Sequence, residues 1–341
     1  MQAERELRLR RTKDKHFGRE DLAELRGEKR AGLVHLFTLI GLLSIASSQP
    51  VFAQVQLPAV NLGDTNFEDG LAGPGWLLQE FPDGYVADKL KDARGKTVPG
   101  SNHVTAYSTT SHVAFVSKKR FLRGWIAGEV LLPLVDLEVQ FANGSESRVR
   151  GIGDLIVGPG LQWAPKKIGN SVFVQRVMVD VGVPTGKYSD ARPVNPGNHF
   201  VVVNPYYCFT YEQKKFEFSA RLHYLWNSTN NAPFVGLGIK DLQAGQALHV
   251  NYATSYEIFN KVRFGFNGYW LQQMTNHQID GRSIANSKER TVGLGPGVQI
   301  GGGGLWFRMN SYLETDVRNR PSGIRVTLRI SKVLAADGTD P

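Results

Sequence analysis

Ser219 and His223 stand four residues apart in a segment that alternates from Phe216 to Trp226. On a strand this spacing puts hydroxyl and imidazole on one face but about 13 Å apart, too far for a nucleophile and its base. A cross-strand pair, such as His249 with a serine, stays open. The run Gly182-Val-Pro-Thr-Gly-Lys-Tyr188 has a phosphate-loop flavour. Its first glycine is misplaced, however, and Tyr188 stands where a magnesium-binding hydroxyl belongs. Asp64-Thr-Asn-Phe-Glu-Asp-Gly70 starts like a calcium loop, yet its sixth position is Asp69 rather than glycine and its twelfth is Gly75 rather than glutamate. The histidines have no zinc-like spacing. Cys208 is the single cysteine, so no internal disulfide forms, and its neighbours Tyr207 and Phe209 suit a small apolar filler. No catalytic residue, metal ligand or cofactor is therefore assigned.

The polar side chains make better sense as a face. Period-two alternation is pervasive beyond residue 60, and it separates an apolar set from a polar one. Phe216, Phe218, Ala220, Leu222, Tyr224 and Trp226 oppose Glu217, Ser219, Arg221, His223 and Asn227. Leu248, Val250, Tyr252, Tyr256 and Ile258 oppose His249, Asn251, Ser255 and Glu257. Val262, Phe264, Phe266 and Trp270 oppose Arg263, Asn267 and Gln273, and Ile324, Val326, Leu328 and Ile330 oppose Arg325, Thr327, Arg329 and Ser331. The pattern predicts twelve strands over 76–88, 102–117, 123–137, 150–164, 171–184, 199–211, 215–227, 245–259, 262–274, 288–300, 305–316 and 323–334. Connections alternate between long and short, with 138–149, 185–198, 228–244 and 275–287 among the long ones. That is the plan of an all-β, up-and-down antiparallel transmembrane β-barrel, with short periplasmic turns and longer external loops. The strands are long for a soluble sandwich, whose strands usually run about 5–6 residues. Aromatics near strand ends (Trp163, Tyr211, Trp226, Phe259, Trp270) suit the two membrane interfaces.

On this plan the polar face lines the lumen. The expected lumen-lining, transport-related residues are Arg176, Asp180, Glu217, Arg221, His223, His249, Glu257, Arg263, Asn267, Arg308, Glu314, Arg325 and Arg329. Facing arginines and carboxylates would set a transverse field that selects solutes by charge and size. The same pairs can also serve only to fill a narrow interior.

Composition agrees with an exported chain. The 341 residues carry a formal charge of +9, with a cluster of Lys and Arg in residues 1–30. Beyond residue 30 no basic run interleaved with aromatics appears, so nucleic acid is not an expected partner. Mean hydropathy is −0.25, and no stretch reaches the roughly 18 apolar residues of a spanning helix. Lys29-Arg30, the apolar run Ala31–Ala46, the breaker Pro50 and Val51-Phe52-Ala53 form a secretory signal, with cleavage expected before Gln54. The expected organisation is an extended n-region and signal peptide at 1–53, a periplasmic segment or plug at 54–75, the barrel at 76–334 and a tail at 335–341.

Four segments carry a family likeness: Gly151-Ile-Gly-Asp-Leu-Ile-Val-Gly-Pro-Gly-Leu-Gln-Trp163, Val179-Asp-Val-Gly-Val-Pro-Thr-Gly-Lys-Tyr188, Asn204-Pro-Tyr-Tyr207 and Val250-Asn-Tyr-Ala-Thr-Ser-Tyr256. Together they resemble the outer-membrane transporters associated with meta-pathway phenol degradation, over roughly residues 70–334. The resemblance implies a transporter barrel linked with aromatic or hydrophobic compounds, and it supplies no functional residues. The chain departs from many such barrels in ending on Ala335–Pro341 rather than on an aromatic residue. The reading is thus an outer-membrane pore for small solutes, with outer-membrane lipids and a small-molecule solute as partners. A lipid-hydrolase barrel and a structural or adhesion barrel are the alternatives.

Overall fold

A computed structural model describes residues 57–58 and 61–335. The export signal expected at 1–53 and the chain beyond Ala335 lie outside the described residues.

Alternation along the chain becomes twelve antiparallel staves: β1 Gly75–Leu90, β2 His103–Phe121, β3 Gly124–Gln140, β4 in two pieces (Glu146–Ile152 and Leu155–Gln162), β5 Ser171–Val183, β6 Val202–Gln213, β7 Phe216–Asn227, β8 Ala247–Phe259, β9 Val262–Gln273, β10 Arg290–Gly302, β11 Leu305–Arg318 and β12 Pro321–Ala335. Each pairs with its sequence neighbour, and β1 also pairs with β12 from Gly75↔Ala335 to Leu90↔Pro321, which closes the barrel. Closure leaves no open sheet edge in lipid. Small additions decorate the connections: Lys166–Ile168 pairs with the start of β5, and Leu242–Gln243, Gln278–Ile279 and Arg282–Ser283 form a separate three-stranded patch.

Burial is inverted relative to a soluble sandwich. Glu217, Asn251 and Gln299 are 0% exposed, whereas Leu313 is 65% and Phe259 70% exposed. A protein in water would not bury the first set and display the second. A barrel in lipid must do both, and the face assignments made from alternation hold on β7, β9 and β12 and, as far as Ser255, on β8.

Five prolines lie inside staves, at Pro82, Pro133, Pro159, Pro205 and Pro296, and a sixth, Pro321, begins β12. Each of the five interior prolines keeps its register partner on one side while pairing lapses on the other, as a residue without an N–H requires. The predicted boundaries shift most at the second long connection. Instead of a loop over 138–149, β3 runs to Gln140 and β4 begins at Glu146. Asp136 accepts from Arg150 Nε at 2.6 Å and from Arg148 at 3.3–3.4 Å, so a ladder of charge extends this hairpin past the apolar band. The single predicted strand 150–164 is interrupted at Gly153-Asp154. The Gly303-Gly304 turn takes φ of +60° and +72°, a conformation that glycine adopts without strain.

Candidate functional site in the barrel interior

The interior is occupied by the chain's own residues 61–70. Ahead of them, the Leu57 amide donates to Glu289 Oε1 at 2.5 Å near the long-loop rim; after them, β1 begins at Gly75 on the opposite rim. Leu62 and Phe67 are each 1% exposed. Polar ties reach the segment from nine staves. Asn251 on β8 bridges the Gly63 amide and the Asn61 carbonyl at 3.0 and 2.8 Å, and Tyr312 on β11 donates to the Gly63 carbonyl at 2.7 Å. Arg325 on β12 donates to the Leu62 carbonyl, and Asn310 on β11 meets Asn66 at 2.6 Å. Glu68 accepts from Arg263 on β9 at 3.0 Å and from Gln299 on β10 at 2.5 Å. The Gly70 amide donates to Thr210 on β6, and Gln162 on β4 donates to the Gly70 carbonyl.

Asp69 is the densest knot. Its Oδ2 accepts from Arg221 on β7 at 2.6 and 3.0 Å and lies 3.5 Å from Arg176 on β5. Its Oδ1 accepts from Arg329 on β12 at 3.3 Å. Arg176 also donates to the Asp69 carbonyl at 2.7 Å. Arg221, Arg176 and Arg329 thus surround one buried carboxylate with three guanidiniums.

The other expected lumen residues fall into place around this knot. Glu217 accepts from Ser219, Ser255 and the Glu68 amide. Arg325 lies 3.6 Å from Asp83, and Glu314 accepts from Tyr85 at 2.7 Å and Tyr269 at 3.0 Å. Arg308 donates to Gln299 and Ser331 and has no carboxylate partner among the described residues. Asp180 is buried beside the cavity described below. His223 and His249 stack, with centroids 4.1 Å apart, and Asn204 is the only polar partner of either ring among the described residues. Asn267 is fully buried, with neither amide atom paired among the described residues. Glu257 is the exception, since it accepts from the Lys261 amide at a short turn and so lies at the rim rather than in the lumen. The order of the residues explains this: Glu257 is two residues from the end of β8, where the alternation no longer faces the channel.

Two groups escaped the sequence reading. Glu129 faces His112 at 2.8 Å and accepts from Tyr206 at 2.7 Å. Glu289 takes Arg320 at 2.5 Å and lies 3.6 Å from His277. Simple alternation along β2 and β3 could have flagged the first pair. The second sits partly in a loop, where periodicity says nothing. The acidic residues of 61–70 looked like a broken calcium loop, and they are partners for wall arginines instead. The serine–histidine chemistry considered above has no geometric counterpart here, for Ser219 Oγ bonds Thr210 and Glu217, and neither His223 nor His249 hydrogen-bonds a serine among the described residues.

Staves β1, β2 and β3 contribute no hydrogen bond to residues 61–70 among the described residues. Along that wall runs a cavity of about 260 Å³. Leu77, Phe81, Ala114, Val116, Ala127 and Val333 supply an apolar side, while Asp69, Arg176, Arg221, Arg308 and Arg329 supply a polar one.

The family model described as "Putative MetA-pathway of phenol degradation" matches residues 87–330. The chain belongs to this family. The match to the phenol MetA-pathway family runs from the end of β1 to β12 and leaves the interior segment outside it. No curated protein sequence matches the chain. Among solved structures, an outer membrane channel from Pseudomonas putida F1 is 16% identical, covers 79% of this chain and 99% of its own, and superposes with a TM-score of 0.69. The transport unit of the autotransporter AIDA-I from Escherichia coli is 9% identical, with 79% and 92% covered and a TM-score of 0.49. The P. putida toluene transporter TodX is 9% identical, with 78% and 92% covered and a TM-score of 0.39. The first of these likenesses establishes for this family member the fold of an outer-membrane β-barrel.

Proposed function

We propose that the protein is an outer-membrane pore for small, apolar or aromatic solutes, and that residues 61–70 are its plug. The observation that carries this reading is the closed barrel with an apolar exterior around a charged interior, where a cavity of about 260 Å³ remains beside a segment that belongs to no stave. The outer membrane channel of P. putida, which shares the fold, supports the same assignment. The lining arginines then act as a field on passing solutes rather than as reagents.

In planar bilayers, Arg263→Ala is expected to raise conductance or its open fraction, because it removes the 3.0 Å tie to Glu68 and loosens the plug. Arg325→Ala, which frees the Leu62 carbonyl, should act in the same direction. An enzyme would instead lose nearly all activity from a single change. Acyl release from phospholipid or lipopolysaccharide that disappears with His223→Ala or His249→Ala would replace the pore by a hydrolase.

The pore reading also fixes an orientation. With short turns periplasmic, the long connections lie outside the cell. In a Cys208→Ser background, Asn231→Cys and Gln278→Cys should react with an impermeant thiol reagent on whole cells, whereas Lys167→Cys and Asn260→Cys should stay silent. Asn231 is chosen over its neighbour Asn230, which is 5% exposed and would be silent on either side. The reverse pattern would invert the barrel.

A further inference from the structure

We propose that Arg176, Arg221 and Arg329 form a carboxylate-binding subsite which Asp69 occupies as an internal competitor, and that the transported solute is an amphipathic carboxylate. The inference rests on the pore reading and narrows its solute class.

Three guanidiniums converge on one carboxylate, and the two parties belong to different parts of the molecule. The arginines are fixed on staves β5, β7 and β12, in a wall tied by its own ladder. Asp69 sits on a segment outside that ladder. Its carboxylate is held by Arg221 through both Nε and a terminal nitrogen, the approach a planar guanidinium makes to any carboxylate. Removing Asp69 would leave three buried cations unpaired, a state that favours the arrival of another anion over an empty site. The aromatic rings beside them keep the guanidiniums in place: Arg221 lies 4.8 Å and Arg176 5.8 Å from the Tyr206 ring centre, and Arg329 4.2 Å from that of Phe81.

The cavity says what else the ligand must carry. Asp69 and the three arginines line one side of it, and Leu77, Ala114, Val116, Ala127 and Val333 line the other. A fully polar anion such as phosphate would gain nothing from that second wall. A dry cavity of about 150 Å³ holds a benzene ring, so 260 Å³ accommodates one ring with its carboxylate. Arg308, on the same cavity and without a carboxylate partner among the described residues, gives an arriving anion a first cation that Asp69 does not already hold.

Binding is measured on the full chain in detergent, with benzoate, its neutral counterpart benzyl alcohol, and inorganic phosphate as probes. Asp69→Asn keeps the volume and removes the competing charge. Benzoate should then bind about tenfold more tightly than to wild type, benzyl alcohol should bind both proteins alike, and phosphate should not displace benzoate. Adding Arg221→Ala to Asp69→Asn should abolish the gain. Unchanged benzoate affinity in Asp69→Asn, or an equal gain for benzyl alcohol, overturns the proposal; tight phosphate binding overturns the amphipathic assignment. If Asp69→Asn does not fold, Glu68→Gln loosens the segment without touching the subsite, and the ratio of benzoate to benzyl alcohol affinity must rise; a constant ratio overturns the proposal. Flux into liposomes is read separately. Benzoate binding without flux removes the pore reading, and flux without charge-dependent binding removes the subsite.

Discussion

Deleting residues 61–70 is expected to raise single-channel conductance about tenfold and to shift selectivity towards anions. The segment fills the lumen with Leu62 and Phe67, both nearly inaccessible, and it carries Asp64, Glu68 and Asp69. Its loss therefore widens the path and removes three acidic side chains from among Arg176, Arg221, Arg263 and Arg329. The wall should survive, because none of its ladder bonds involves residues 61–70. It will be less stable, since unpairing buried charges typically costs about 3–5 kcal/mol. Heat-modifiable migration on gels would establish that the barrel still closes. A closed barrel with unchanged conductance would show that 61–70 is not what limits passage.

Asp154→Ala is expected to unfasten the long-loop rim. This carboxylate sits at the break in β4, 7% exposed, and accepts from the Gly186 amide at 2.9 Å, the Asn198 amide at 2.8 Å and the Asn198 side chain at 2.9 Å. It thereby pins both ends of the connection between β5 and β6. Gly186 packs so closely that a Cβ there would lie 2.7 Å from the Gly153 backbone. Losing charge-assisted bonds of this kind costs about 2–3 kcal/mol, which opens the loop roughly 30- to 150-fold more often. Trypsin should then cut after Lys187 in folded protein far faster than in wild type, with Asp154→Asn in between. Equal cleavage rates would mean that the rim is held by other contacts.

The interior segment and Asp154 mark what sequence can and cannot reveal. Alternation fixed the barrel because a stave between lipid and lumen imposes a period of two at every position, as Phe264 and Arg263 illustrate on β9. It also put Arg221, Arg263 and Arg329 on the polar side of the wall, where each reaches residues 61–70. It could not say that Arg221, Arg263 and Arg329 meet residues 61–70, a stretch with no period that lies more than a hundred residues from each of them. Asp154 stood in plain view within the family-like segment 151–163, where it reads as a turn residue. Its function depends on two amides from a distant loop, and no spacing rule encodes that. Glu257 failed in the opposite sense, since alternation continued on paper past the point where the stave leaves the channel.

The tie between Asp69 and Arg329 joins residues 260 positions apart, one ahead of the first stave and the other on the last. The portion of the described chain that is synthesised earliest thus has its binding site completed only when the final hairpin arrives. Contacts of such length in sequence make folding slow and late-committing. Seating of the segment and closure of β1 on β12 become a single terminal event, so a barrel stalled with its last stave unpaired would also be a barrel standing open.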